Sequence, residues 1–237
     1  MTRFLVVLDV DSTLIGQEVV DLLAERAGVG EQVAAVTEAA MRGELDFAVS
    51  LARRVALLEG LPTTVFDEVG GRITVTPGAR DLIAAVHDAG GSVAAVSGGF
   101  RQVLDPLAAR LGLDRWRAND LGVDDGRLTG RVEGAVVDAA AKRAALREWA
   151  DELSAGSTVA IGDGANDLLM MAEADLSVAF AAKPAVRAQA DVVLPAPSLR
   201  PVLALLGLDD SVLQDGTSYR TESVLLSGPS RGRRRPG

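Results

Sequence analysis

Apolar residues fall along the chain in short unbroken runs, separated by longer stretches with helical periodicity. Phe4 to Leu8 is the first run, and Ser92 to Val96 and Thr158 to Ile161 are the next clear ones. Runs of this length without alternation predict strands buried on both faces, as in a parallel sheet with helices above and below. Two shorter runs, Leu176 to Ala179 and Asp191 to Leu194, extend the series. Helical stretches at Ala79–Ala89, closed by Gly90-Gly91, and at Ala139–Leu153 precede the second and third strands. Strands alternating with helices predict an α/β fold, a Rossmann-like doubly wound parallel sheet. Each of the first three strands runs into a polar turn: Asp9 to Thr13, Ser97-Gly98-Gly99, and Gly162-Asp163-Gly164. Ligands in such sheets bind beyond the carboxyl ends of the strands, so these three turns are expected to converge.

The segment between the first strand and Thr76-Pro77-Gly78 has no strong strand signal. Helical periodicity covers Glu18–Ala27, Glu31–Met41 and Leu45–Glu59. This is too long for a simple crossover and reads as a small helical cap inserted after strand one. Asp125-Gly126, flanked by apolar and polar positions within Trp116 to Gly134, predicts a β-hairpin arm. The expected division is an α/β core over 1–16 and 74–207, a cap over 17–73, and a carboxy-terminal extension over 208–237. Ser227 to Gly237 contains only Ser, Gly, Pro and Arg, cannot bury a core, and is expected to be disordered.

Composition narrows the chemistry. There is no cysteine, so disulfides, thiolate metal sites and thiol nucleophiles are excluded. A single histidine, His87, rules out a multi-histidine zinc site. The formal charge of −9 argues against duplex nucleic acid as a partner. No apolar run approaches the roughly 20 residues that span a bilayer. The apolar start is broken at once by Asp9, so it does not read as a secretory signal. The expectation is a soluble cytoplasmic protein, monomer or homodimer, whose chemistry runs on Asp, Glu, Ser, Lys and Arg.

Asp9 and Asp11 crowd two carboxylates just past a buried strand. Either Asp11, Ser12 or Thr13 could simply cap a helix, but a cap does not need Asp9 as well. Two close carboxylates coexist through a cation or a split of protonation states, which leaves one as nucleophile or metal ligand and the other as acid/base. Asp163 and Asp167 form a second acidic strand-end turn, with Asn166 between them and capping as its bland alternative. Oxygen ligands without His or Cys suit Mg²⁺. Ser97-Gly98-Gly99 offers a hydroxyl and backbone amides that could cradle phosphate, though it could also be an ordinary loop. Only two lysines occur, Lys142 and Lys183. Lys142 stands at a helix start, where the dipole disfavours a cation unless it has a partner; Lys183 reads as a loop cation of undecided role.

The motifs DVDST at 9–13, SGG at 97–99, Lys142 and GDGANDLLM at 162–170 together resemble, in order and spacing, the haloacid dehalogenase superfamily of phosphatases. The chain is similar, across roughly 3–205, to the phosphoserine phosphatase family within it. Glu18, the segment Met41 to Phe47, Arg53-Arg54-Val55 and the hairpin from Ala118-Asn119 to Gly130 support the narrower likeness. The resemblance implies Asp9 as nucleophile and Asp11 as general acid and base. It implies Mg²⁺ held by Asp9, the Asp11 carbonyl and Asp163, with Asp167 in support. Ser97, the Gly98 amide and Lys142 would bind phosphoryl oxygens, and Asn166 is counted with the substrate-binding residues. For O-phosphoserine, Glu18 would meet the ammonium, Arg54 rather than Arg53 the carboxylate, and Phe47 would cover the site. His87, Trp116 and Trp149 read as structural or surface residues. The amino-terminal regulatory extension of some members is expected to have no counterpart here, since strand one begins at Phe4. A phosphatase for another small metabolite and a receiver-like signalling module are the alternatives.

Overall fold

The computed structural model describes residues 2–195 and 197–209. Strand β1 (Leu5–Leu8) is followed by four helices, α1 (Val19–Ala27), α2 (Gly30–Met41), α3 (Phe47–Ala56) and α4 (Val65–Arg72). The chain then runs through α5 (Ala79–Asp88), β2 (Ser92–Phe100), α6 (Arg101–Leu111), β3 (Arg115–Asp124), β4 (Arg127–Glu133) and α7 (Ala139–Glu152). It closes with β5 (Thr158–Gly162), α8 (Leu168–Glu173), β6 (Leu176–Phe180), α9 (Pro184–Arg187), β7 (Val192–Leu194) and α10 (Pro201–Leu205). The strands form one seven-stranded sheet in the order β4-β3-β2-β1-β5-β6-β7. Every pairing is parallel except β3 with β4.

The unbroken apolar runs are explained by two-sided burial. On one face Val6, Leu8, Val93, Ala95, Val159 and Ile161 pack with residues of α1, α5, α6 and α10. On the other, Leu5, Val7, Ala94, Val96 and Ala160 meet Ala145, Leu146 and Trp149 of α7 and Met170 and Met171 of α8. Alternate side chains of each strand thus serve opposite layers. Register then sets the site: Leu8 stands beside Ala95 on one side and Ile161 on the other. Asp9, Ser97 and Asp163 therefore leave the same edge of the sheet.

One expectation needs adjusting: Ser97-Gly98-Gly99 is the extended end of β2 rather than a turn after it. The expected hairpin is present, with Asp120 to Asp124 of β3 paired against β4 beyond the part of β3, Arg115 to Asn119, that pairs in parallel with β2. Its tip clasps the chain after α3, through Gly60 N–H to Leu128 O at 2.8 Å and Leu128 N–H to Leu61 O at 2.8 Å. The ends of the inserted helical cap meet at Ile15 and Val75, which form an antiparallel bridge. Thr76 N–H to Leu14 O at 3.0 Å continues that link. Among the described residues no helix is long and apolar enough to cross a membrane. Leu208 and Asp209 are described; the rest of the carboxy-terminal extension, including the arginine-rich stretch, lies outside the described residues.

Candidate active site

Past β1 the chain makes a wide turn in which the N–H groups of Leu14 and Ile15 reach back five residues to the carbonyls of Asp9 and Val10. Ser12 adopts φ 59° within it, and its hydroxyl donates to Glu18 Oε1 at 2.7 Å. This turn sends Asp9 inward and carries Asp11 to the wall of a cavity. Helix α7 begins where Asp138 accepts from Ala141 N–H at 2.8 Å, and its first turn delivers Lys142, which is fully buried. The Lys142 ammonium donates to Asp9 Oδ1 at 2.5 Å and to Asp167 Oδ1 at 2.7 Å. The expected conflict of a cation at a helix start is resolved by these two carboxylates. Asp167 is itself held by Gly164 N–H at 3.0 Å.

Carboxylate oxygens of Asp9, Asp163 and Asp167 lie within 4.8 Å of one another. Lys142 bridges Asp9 and Asp167 and Lys183 favours the charge of Asp163, so three carboxyls against two lysines leave negative charge in excess. Burial and the neighbouring Asp167 charge push Asp9 well above the ordinary carboxylate range, with Lys142 opposing. Burial, then Asp167 and Glu18, raise Asp163 to about 6. Burial also works against the Lys142 charge, but Asp167 and Asp9 outweigh it and hold the ammonium above its ordinary value. An all-oxygen donor set with uncompensated charge fits a hard divalent cation. Asp11 does not contribute its carboxylate to this trio. Its Oδ2 faces Val19 N–H at 3.4 Å, and its Oδ1 is sealed from solvent with no hydrogen-bond partner. Burial, followed by the Glu18 charge, raises Asp11 to about 8.

The cavity above this floor measures about 150 Å³ and is lined by Asp9, Asp11, Glu18, Phe47, Arg54, Ser97, Gly98, Asp163 and Asn166. The expected site residues are thus brought together, with Lys142 and Asp167 buried beneath. On α3, Phe47, Leu51 and Arg54 share one face by helical spacing. Asp46 caps this helix by accepting from Val49 N–H at 2.8 Å. Burial lowers the Arg54 guanidinium from its ordinary value, while Glu18, Asp21 and Asp11 favour its charge. A Cβ on Gly98 would stand 2.8 Å from Phe47 Cζ, so a side chain there would require the Phe47 ring to shift. Val20, Leu51, Phe100 and Lys183 also line the cavity. Lys183 is the loop cation left undecided above; its carbon stem gives no clue in sequence, because only the path after β6 brings it here. His87 pairs with Asp114, Trp116 donates to Asp105, and Trp149 lies in the core beneath Arg117, all apart from the cavity.

A doubly wound sheet with acids on two neighbouring strand ends and a buried lysine defines a class of hydrolase, and the family comparison agrees. The model for haloacid dehalogenase-like hydrolases matches residues 6–172, and the chain belongs to that family. It is 53% identical over 209 residues to phosphoserine phosphatase SerB2 of Mycobacterium tuberculosis, covering 87% of this chain and 51% of that protein. It is 50% identical over 204 residues to the phosphoserine phosphatase of Streptococcus thermophilus, covering 85% and 95%. A solved structure described as a phospho-aspartyl intermediate analogue of phosphoserine phosphatase superposes with a TM-score of 0.81 at 42% identity, covering 86% and 99%. The chain thus spans about half the length of the mycobacterial relative and nearly all of the streptococcal one.

Proposed function

We propose that this protein hydrolyses O-phosphoserine to serine and phosphate in two steps, with Asp9 as nucleophile and Mg²⁺ as cofactor. The observation that carries the reading is the pairing of Asp9 with a fully buried lysine at the floor of a cavity whose walls hold Glu18 and Arg54. Asp9, Asp163 and Asp167, with the Asp11 carbonyl, would hold the ion. When bound, Mg²⁺ neutralises phosphoryl charge as a Lewis acid. Lys142 favours the ionised form of Asp9 against the burial and Asp167 charge that oppose it, and the Asp9 carboxylate attacks phosphorus in line with the departing serine oxygen. Asp11 gives that oxygen its proton. Water then attacks the aspartyl-phosphate, Asp11 takes the water's proton, and Asp9 is released. Ser97, the Gly98 amide and Asn166 face the phosphoryl group, and Phe47 covers it. A small phosphorylated substrate is the partner; a monomer or homodimer in the cytoplasm accords with the reading.

The test is phosphate release from O-phosphoserine with and without Mg²⁺, set beside O-phosphoethanolamine, which lacks the carboxylate. Arg54→Ala is expected to raise KM for O-phosphoserine by about ten- to a hundredfold, the range for a lost charged hydrogen bond. O-phosphoethanolamine turnover should barely move. Equal loss on both substrates would remove the carboxylate-clamp role.

The protonation of Asp11 gives a second expectation. With its carboxyl raised to about 8, Asp11 carries the needed proton at neutral pH and loses it above that value. The kcat/KM profile, which reports the free enzyme, should therefore fall on its alkaline side near pH 8. Glu18→Gln removes a charge that raises Asp11, so its falling limb should move to lower pH. An unmoved limb would detach it from this pair.

A further inference from the structure

Ser97, Gly98 and Gly99 end β2 at the cavity, and what they can offer a phosphoryl group depends on how their peptides are tied. The carbonyl and N–H of one planar peptide unit point in opposite directions, so holding either fixes both. In the Gly98–Gly99 peptide both are held. Its carbonyl accepts from Asn119 Nδ2 at 2.8 Å, and its N–H donates to Ser97 Oγ at 2.8 Å. Asn119 is 1% exposed, and its Oδ1 accepts from Val137 N–H at 2.7 Å. Both partners are backbone groups, so the orientation of the carboxamide is settled: a carbonyl only accepts and an amide only donates. One side chain of β3 therefore joins the end of β2 to the residues leading into α7, and hence to Lys142.

The two glycines make such a tie necessary. A Cβ on Gly98 would press on Phe47, and one on Gly99 would stand 3.0 Å from Asp11 Oδ2. Both contacts are with side-chain tips that a Cβ would displace, and adjacent glycines leave the peptide with little conformational preference of its own. An external anchor supplies it. The tie also sets the polarity of Ser97. Because Oγ accepts from Gly99, its own proton is left to be donated to a ligand oxygen.

We infer that Asn119 is a positioning residue for phosphate: by anchoring the Gly98–Gly99 peptide it presents the Ser97 hydroxyl as a donor to the phosphoryl oxygens. This deepens the proposed function, on which it rests only in taking the anion to be a phosphoryl group.

The experiment is calorimetric titration of inorganic phosphate into the full chain in Mg²⁺-containing buffer. It compares the parent, Asn119→Asp, Ser97→Ala and the double variant. Aspartate keeps the shape of asparagine but has no donor for the Gly98 carbonyl and repels it. Asn119→Asp is expected to weaken phosphate binding by about tenfold, the effect of one hydrogen bond to a charged group. In the Ser97→Ala background the same change should cost almost nothing, because the hydroxyl it acts through is gone. A purely structural role would lower thermal stability in both backgrounds without this coupling. If Asn119→Asp does not fold, Asn119→Ala, where water can enter the vacated space, takes its place in the comparison. Affinity within about twofold of the parent, or penalties that add in full, would overturn the inference. A parent that shows the coupled pattern yet leaves O-phosphoserine intact would overturn the substrate reading and leave Asn119 in its role.

Discussion

Asp9→Asn is expected to lower turnover of O-phosphoserine by at least about a thousandfold while leaving the fold as stable as the parent's or more so. The two halves have one origin. Asparagine matches aspartate in shape, so the packing at the end of β1 is kept, but its amide oxygen is a poor nucleophile for phosphorus. The charge balance meanwhile improves. In the metal-free protein Asp9 and Asp167 share the Lys142 ammonium with Asp163 close by, and the substitution removes a carboxyl whose charge is opposed by burial, Asp167 and Asp163. The sign follows from proton linkage. A carboxyl raised in the folded state binds its proton more tightly there than in the unfolded chain. Its contribution to stability is therefore greatest at low pH and is lost as pH rises through the folded-state value. Asp9→Asn should flatten that loss in metal-free thermal melts recorded across the acidic to neutral range. Steady-state turnover equal to the parent's would remove Asp9 as nucleophile.

The sheet was legible because strands buried on both faces must be apolar throughout, and Phe4–Leu8, Ser92–Val96 and Thr158–Ile161 say so residue by residue. Parallel register then makes convergence of their ends unavoidable. Lys142 was legible for an electrostatic reason, since a cation in the first turn of a helix needs a partner, and Asp9 and Asp167 supply it. Other parts depend on contacts that no local pattern encodes. Asn119 acts on Gly98 and Val137, 21 and 18 residues away, and its strand position alone predicts neither bond. Helix α6 carries Pro106 in its interior, which obscures it against ordinary propensity. Helix α4 contains Gly70-Gly71 and holds its place through Val65 and Val69 in the core. Glu18, Phe47 and Arg54 had no chemical signature of their own. Family likeness singled them out, and their meeting over Asp9 follows from the inserted helices folding back on the sheet edge.

Lys142→Met should produce the largest loss of stability, about 3–5 kcal/mol, because it leaves Asp9 and Asp167 buried without their cation. In a chain of this size that lowers the melting temperature by roughly 10 °C. Methionine keeps the apolar stem and its length, so the loss reports charge rather than a cavity. The lysine's own value is raised in the folded state, so its contribution is complete at neutral pH and would fade only in strong alkali. Once it is gone, the stranded carboxyls take up protons. The deficit should therefore shrink in acid and grow toward neutral pH, the reverse of what a packing defect would do. Two additions separate the causes further. Mg²⁺ should restore part of the melting temperature by binding the acidic trio in place of the ammonium. Adding Asp9→Asn should also restore part of it by removing one of the charges left behind, so that the two substitutions together cost less than Lys142→Met alone. A deficit indifferent to pH, to Mg²⁺ and to Asp9→Asn would mean that Lys142 fills space without balancing charge. In that case its place beneath the phosphoryl cradle would have no electrostatic purpose. Activity bears on the same point from the other side. If Lys142 holds Asp9 ionised for attack, turnover must stay low in Lys142→Met even where Mg²⁺ has repaired the fold, because the ion restores charge to the cluster without replacing the donor to Asp9 Oδ1.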